Sequence, residues 1–329
     1  MEKVSFIIGK KILVTGGAGF IGSNLCEYLL ENGAYVYCLD NFITGFRSNI
    51  SKFLEKKNFT LIEGDICDLK LCQQACSGVD FVLHNAALGS VPRSLKNPLD
   101  SHNVNINGFL NMLYAAKENQ VKRFIYASSS SVYGNSKTLP KVESDDINPL
   151  SPYSLTKCTN EMYANNFNLN YGIDTIGLRY FNVFGRRQSP HGEYAAVIPI
   201  FINSIIKGQK LIVNGDGLNS RDFTYIDNVI RMNILAITTN EEKAINQVYN
   251  VGVGRQTNLL DLIKILYKHI KYHDPDISKL NICHGPKRAG DVAHSLASIK
   301  KANELLNYVP SHSIEEGIKE SVEWYISNL

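Results

Sequence analysis

Lys11-Ile12-Leu13-Val14-Thr15-Gly16-Gly17-Ala18-Gly19-Phe20-Ile21-Gly22 is the stretch that decides the fold. A short apolar strand runs straight into glycines 16, 19 and 22, and an amphipathic helix from Ser23 to Asn32 follows. Strand, glycine turn and helix in that order are the context a dinucleotide fingerprint requires. Gly16 permits the tight turn, Gly19 lets backbone approach a pyrophosphate, and Gly22 allows close helix–strand packing, with the helix N-terminus facing the phosphates. The next apolar run, Tyr35 to Leu39, ends at Asp40-Asn41, so an acid stands 18 residues after Gly22. A carboxylate there accepts both adenosine ribose hydroxyls and repels a 2′-phosphate, which favours NAD over NADP. Arg47 is nearby, but Asp40 already fills the discriminating position.

Working outward, a third strand, Phe59 to Glu63, leads to Asp65-Ile66, and a fourth, Phe81 to His84, leads to Asn85-Ala86-Ala87-Leu88-Gly89-Ser90. Small residues at a strand's C-terminal edge leave room for a nicotinamide ribose. His84, at a strand end, reads as structural. The run Phe124 to Ala127 enters four serines, Ser128 to Ser131; Tyr153 comes 24 positions after Ser129, and Lys157 four further on. Tyr and Lys at that spacing share one helix face, and Pro152 sits near the helix start, where its missing N–H costs nothing. An ammonium beside a phenol favours the phenolate, drawing the Tyr153 pKa toward the working pH and making a general base or acid.

Bulk properties bound the rest. The 329 residues are 44% hydrophobic, enough for two lobes. Net charge is +3, from 34 basic and 31 acidic residues, so no nucleic-acid or membrane surface is implied. The partners expected are small molecules and further copies of the chain. Seven cysteines are scattered mostly through apolar segments with no paired metal-ligand spacing, which argues against a metal site and for a reducing compartment. The opening MEKVSFIIGK has too short an apolar run for a signal peptide, and no apolar segment is long enough to span a bilayer. A soluble, cytoplasmic protein is expected.

Taken together, the glycine spacing, the serine cluster and the Tyr153/Lys157 pair resemble the extended branch of the short-chain dehydrogenase/reductase superfamily. The runs HNAALGSVPRS, GRRQSPHGEYAAVIP and NGDGLNSRDFTYIDNV are most similar to nucleotide-sugar 4-epimerases acting on UDP-N-acetylhexosamines. The fold implied is α/β: a Rossmann-type doubly wound parallel sheet over residues 10–182, with a smaller α/β substrate lobe over 183–329, some of whose segments return to the first domain. The resemblance places Phe20 and Ile21 with the glycines at the NAD, Asp40 and Asn41 at its ribose, Asp65-Ile66 at the adenine, Ala86 and Ala87 at the nicotinamide end, and Asn105 in the supporting network. It makes Tyr153 the base, Lys157 the group that depresses its pKa and holds the nicotinamide ribose, Ser129 the partner of the sugar 4-oxygen and Ser130 its helper. Ser90, Asn182, Arg221, Arg288 and Asp291 are the implied substrate contacts, the last four gripping the UDP part while the sugar turns.

The expected reaction is interconversion of UDP-GlcNAc and UDP-GalNAc, with tightly bound NAD recycled. Related dehydratases and decarboxylases carry an acid inside the hydroxyl cluster, where this chain has Ser130 and Ser131. Ser295 matches a gate position that is a bulky tyrosine in enzymes restricted to UDP-glucose and UDP-galactose, which leaves space for an N-acetyl group. Gly89, where those enzymes have lysine, supports the same subgroup; Ser298 departs from an aspartate common in relatives. The serine run also resembles UDP-glucuronate 4-epimerases, whose substrates want a cation near carbon 6, and Arg93 or Arg187 could supply one. A net oxidoreductase and a non-catalytic NAD-binding protein are the remaining alternatives. A homodimer joined through helices near 100–118 and 153–171 is implied by the resemblance.

Overall fold

The computed structural model describes residues 2–277, 279–286 and 292–328. Seven strands form its central sheet: β1 (Lys11–Thr15), β2 (Tyr35–Asp40), β3 (Phe59–Glu63), β4 (Phe81–His84), β5 (Arg123–Ser129), β6 (Thr175–Tyr180) and β7 (Gln247–Val251). All neighbours are parallel, in the order β7-β6-β5-β4-β1-β2-β3. The chain winds outward from β1 to β3, crosses back to β4 and winds outward the other way. The order therefore reverses between β1 and β4, where a crevice opens beyond the carboxyl ends of the strands.

Both faces of the sheet are covered, so its strands are near-continuous apolar runs; β4 and β6 are buried at every residue. Alternation along β1 feeds two cores, with Ile12 and Val14 entering one cluster and Leu13 the other. The first core packs α1 (Phe20–Glu31) on the sheet; the second packs α2 (Leu69–Cys76), α3 (Phe109–Glu118) and α4 (Pro152–Tyr171). A π-helical turn, Asn103–Gly108, leads into α3. Helix α4 begins with a reciprocal Ser151/Ser154 capping box and Pro152 in its first turn, and ends at Gly172 with φ +70°.

One finding differs from the sequence reading. Helix α1 starts at Phe20, not Ser23, directly on Gly19, which supplies no side-chain cap. Its first N–H groups are thereby left for a ligand. Strand β6 stops at Tyr180, and a two-residue strand, Val183–Phe184, pairs with Thr224–Tyr225. The two lobes are interleaved: β7 and helix α5 (Ile226–Thr238) come from beyond residue 182 yet complete the sheet and its first core. The rest of the second lobe includes helix α6 (Ile314–Asn328) and two further short strand pairs, Leu211–Asn214 with Ile282–Gly285 and Ser220–Arg221 with Thr257–Asn258. Among the described residues no helix is long and apolar enough to cross a membrane.

Candidate active site at the reversal of the sheet

A cavity of about 540 Å³ occupies the crevice, walled by the glycine turn, the loops after β2, β4 and β5, and the face of α4. The turn fits a dinucleotide. Gly16 has φ +67°, and a Cβ there would stand 2.9 Å from Ala86 N, so turn and β4 loop touch through backbone alone. A Cβ on Gly22 would lie 2.1 Å from Gly16 O, whereas one on Gly19 would meet only Gly16 O at 3.2 Å, leaving its other side toward the cavity. Phe20, Ile21, Asn41, Ile66, Ala86 and Ala87 also line the walls.

Asp40 is nearly buried, and its two oxygens accept the N–H groups of Ala18 (2.9 Å) and Phe42 (2.8 Å). Backbone fixes the carboxylate while each oxygen keeps capacity for a ribose hydroxyl. Asn41 donates to Asp65 (2.9 Å), which also accepts from Cys67 N (2.8 Å). Burial would raise the Asp65 pKa, but these donors pull it below the usual carboxylate range. Asp65 and Asn105 thus sit one step behind the wall: Asn105 pins the β4 loop by accepting from Leu88 N (2.7 Å) and donating to Leu88 O (3.1 Å) and to Thr156 on α4 (3.2 Å).

At the other end Ser129, Tyr153 and Lys157 converge on the same wall. Tyr153 and Ser129 both line it, near enough for the serine hydroxyl to favour loss of the tyrosine proton, and Lys157 Nζ donates to Ala127 O at 2.7 Å while lying 5.9 Å from the Tyr153 ring centre. One expectation is corrected here. Burial raises the Tyr153 pKa, and the opposing influence is the Ser129 hydroxyl rather than the Lys157 charge. Burial also pushes Lys157 down to about 8, against the pull of Glu161. Ser130 is half-buried beyond the end of β5, off the lining of the cavity. Ser90, on the lining, holds a positive φ of 95° while capping the short helix Val91–Lys96; such strain in a non-glycine residue is characteristic of functional sites. His84 packs against Phe109 and Phe124 and shares a 2.9 Å hydrogen bond with Thr15. Burial, and then the Lys157 charge, hold its pKa down to about 3, so it stays neutral.

A second cavity of about 480 Å³ adjoins the first, and Val183 lines both. Asn182 and Arg221 are on its walls, as is Gln188, whose buried Oε1 has no protein partner. Ser295 donates its backbone N–H to Ser220 O (3.0 Å), which places it beside the Arg221 strand rather than on the cavity lining. Arg288 and Asp291 lie outside the described residues. Arg187 does not reach the site: it is buried against Glu27 (2.7 Å). Arg93 does line the first cavity, with its guanidinium over the Tyr194 ring at 5.0 Å. Elsewhere Asp227, His312 and Glu320 draw together, but Arg186 donates to Asp227 (2.7 Å) and Tyr225 to Glu320 (2.9 Å), so the carboxylates already have partners.

Sequence reading missed the polar system under the serines. Glu161 accepts from Ser128 (2.5 Å) and, through both oxygens, from Arg179 (2.9 and 2.7 Å); Arg179 also donates to the Tyr133 hydroxyl (2.9 Å). The available signal was Glu161 standing four residues beyond Lys157 on one helix face.

Comparison with known proteins agrees with this geometry. The chain is 38% identical over 319 residues to a putative UDP-glucose 4-epimerase of Methanocaldococcus jannaschii, covering 96% of this chain and 99% of that one. Its structure is similar to that of UDP-N-acetylglucosamine 4-epimerase from Methanobrevibacter ruminantium in complex with UDP-N-acetylmuramic acid, with TM-score 0.91, 36% identity and coverage of 98% and 100%. It is also similar to the UDP-glucose 4-epimerase of Thermotoga maritima with UDP-glucose, with TM-score 0.87, 37% identity and coverage of 96% and 99%. Residues 12–252 match the model of the NAD dependent epimerase/dehydratase family. With its glycine turn, Asp40 and the Ser129-Tyr153-Lys157 wall gathered on one cavity, the chain belongs to that NAD dependent epimerase/dehydratase family, with NAD as its cofactor.

Proposed function

We propose that this NAD-dependent UDP-sugar 4-epimerase interconverts UDP-GlcNAc and UDP-GalNAc. The observation that carries the reaction type is the wall on which Tyr153 and Ser129 stand together beside the buried Lys157 ammonium. NAD held by the glycine turn and Asp40 would supply the hydride chemistry at sugar carbon 4. Tyr153 Oη takes the 4-hydroxyl proton and later gives it back, Ser129 holds the 4-oxygen, and Lys157 holds the nicotinamide ribose. Asn182 and Arg221, with Arg288 and Asp291, anchor the UDP part so that the oxidised sugar rotates without leaving.

Dehydration needs a protonated acid near carbon 6. The serine cluster supplies none, and Glu161, which accepts from Ser128 beneath it, is engaged by Arg179 through both oxygens and cannot serve. The 4-ketone is left with reduction as its fate.

Substrate choice rests on the second cavity. The unpartnered Gln188 Oε1 suits the N–H of a 2-acetamido group, since a buried acceptor gains most from a ligand that completes it. Ser295 would leave the gate open. Purified protein without added NAD is expected to convert UDP-GlcNAc in preference to UDP-glucose, resolved by anion-exchange chromatography. Ser295→Tyr should lower kcat/KM for UDP-GlcNAc by roughly 10–100-fold with little change for UDP-glucose; equal losses on both sugars would remove the gate assignment. A second reading, a UDP-uronic acid, is favoured by one observation, the Arg93 cation on the cavity wall. Leu155, Met162 and Leu169 are exposed on α4, and they are the face on which we place a homodimer contact.

A further inference from the structure

We propose that Glu161 is a positioning residue for the reaction: it anchors the end of β5 through Ser128 and Arg179, and from one helical turn away it keeps Lys157 in its ammonium form. The proposal rests on the reading that Tyr153 and Lys157 carry the chemistry. Positions 153, 157 and 161 are successive fourth residues of α4, so the carboxylate lies on the catalytic face, one turn deeper. Its side chain is 9% exposed and that of Arg179 is 6% exposed.

The anchoring spans three strands. Ser128 on β5 stands in register with Arg179 on β6, and Arg179 with Asn250 on β7. Glu161 joins the first pair, and the Tyr133 hydroxyl joins the second by accepting from Arg179 and donating to Asn250 (2.7 Å). Ser128 lines the cavity and directly precedes Ser129, so this ladder fixes the backbone from which Ser129 reaches Tyr153.

Anchoring alone does not require a charge here, because a buried ion pair is often no more stabilising than apolar side chains of the same volume. The charge acts on a neighbour. Beside Lys157 stand Tyr153 on α4 and the neutral His84 at the end of β4; Cys158 on α4 and Tyr126 on β5 face Glu161 and Arg179, with Glu143 and Lys301 beyond them. Glu161 is the group that opposes the loss of the Lys157 proton, which burial has brought to about 8. Without its negative charge, Lys157 would be neutral over much of the working pH range, and the wall on which Tyr153 stands would lose its cation.

The test follows the Lys157 titration directly, by ¹³Cε-lysine NMR on the full-length holoprotein, with the resonance assigned from Lys157→Met. In Glu161→Gln the midpoint should move down by about one pH unit. With whichever UDP-sugar turns over, kcat should fall roughly tenfold more at pH 8.5 than at pH 6.5. Should unpaired Arg179 prevent folding, Glu161→Gln/Arg179→Met removes both buried charges and should show the same shift. Ser128→Ala, which keeps both charges, should leave the midpoint in place. An unmoved Lys157 midpoint in a folded Glu161 variant, or an equal loss of kcat at every pH, overturns the proposal. Wild-type protein that turns over no UDP-sugar would defeat the functional reading, yet the NMR midpoint would still decide the role of Glu161.

Discussion

Replacing Tyr153 by phenylalanine lowers kcat by roughly 10²- to 10⁴-fold, the range expected when a positioned general acid–base is removed. The substitution deletes one hydroxyl and keeps the ring on α4, whose capping box and first-turn proline are untouched. Thermal stability and bound NAD should therefore stay at wild-type values. The hydroxyl is a fitting proton carrier because its environment is divided: burial holds the proton on, while Ser129 favours its release. A bound 4-hydroxyl offers a proton to that same pair of oxygens. Steady-state kinetics beside a melting curve and an absorbance measure of retained cofactor provides the check. A loss smaller than tenfold, with fold and cofactor intact, would move the base elsewhere.

Gly22→Ala is expected to damage the protein by a different route. Its Cβ would stand 2.1 Å from Gly16 O, 2.7 Å from Gly16 C and 2.8 Å from Gly17 Cα, all backbone atoms of the turn that approaches the pyrophosphate. No flexible side chain is available to yield, so either α1 withdraws from β1 or the turn deforms. Overpacking of this kind costs about 3 kcal/mol, which lowers Tm by several degrees in a protein of this size. The variant should also emerge from purification depleted of NAD. Gly19→Ala is the informative partner, because its Cβ meets only Gly16 O, at 3.2 Å. It should fold near wild-type stability and lose cofactor affinity, separating a glycine needed for packing from one needed for approach. Similar melting temperatures for the two variants would refute that division.

The features legible in the sequence are those that reside in short segments. Gly16, Gly19 and Gly22 lie within one turn, Asp40 ends the next strand, and Tyr153 and Lys157 are one helical turn apart, so local pattern suffices to read them. What escaped was long-range. Nothing in the neighbourhood of Glu161 announces Ser128, 33 residues earlier, or Arg179, 18 residues later; parallel strands bring them together. The choice between Arg93 and Arg187 was similarly closed to sequence, since both follow loops near the site and only packing shows that Arg187 is held by Glu27. The Lys157 effect on Tyr153 was misjudged for a related reason: spacing fixes which residues share a face but not where an ammonium points, and here it points at Ala127 O.

Strand β7 has a consequence for anyone who would treat the cofactor platform as a transferable module. A chain cut after residue 182 keeps the glycine turn, Asp40, Tyr153 and Lys157, yet its sheet ends at β6, six residues buried without exception in the whole molecule. That strand would become an open edge offering unpaired N–H and C=O groups to any neighbour, and Arg179 would lose the Asn250 end of its ladder. Such a fragment should self-associate rather than bind NAD as a soluble unit. Exchanging substrate lobes among relatives therefore requires carrying 226–251 along with the platform, a seam drawn through space instead of at one point in the chain.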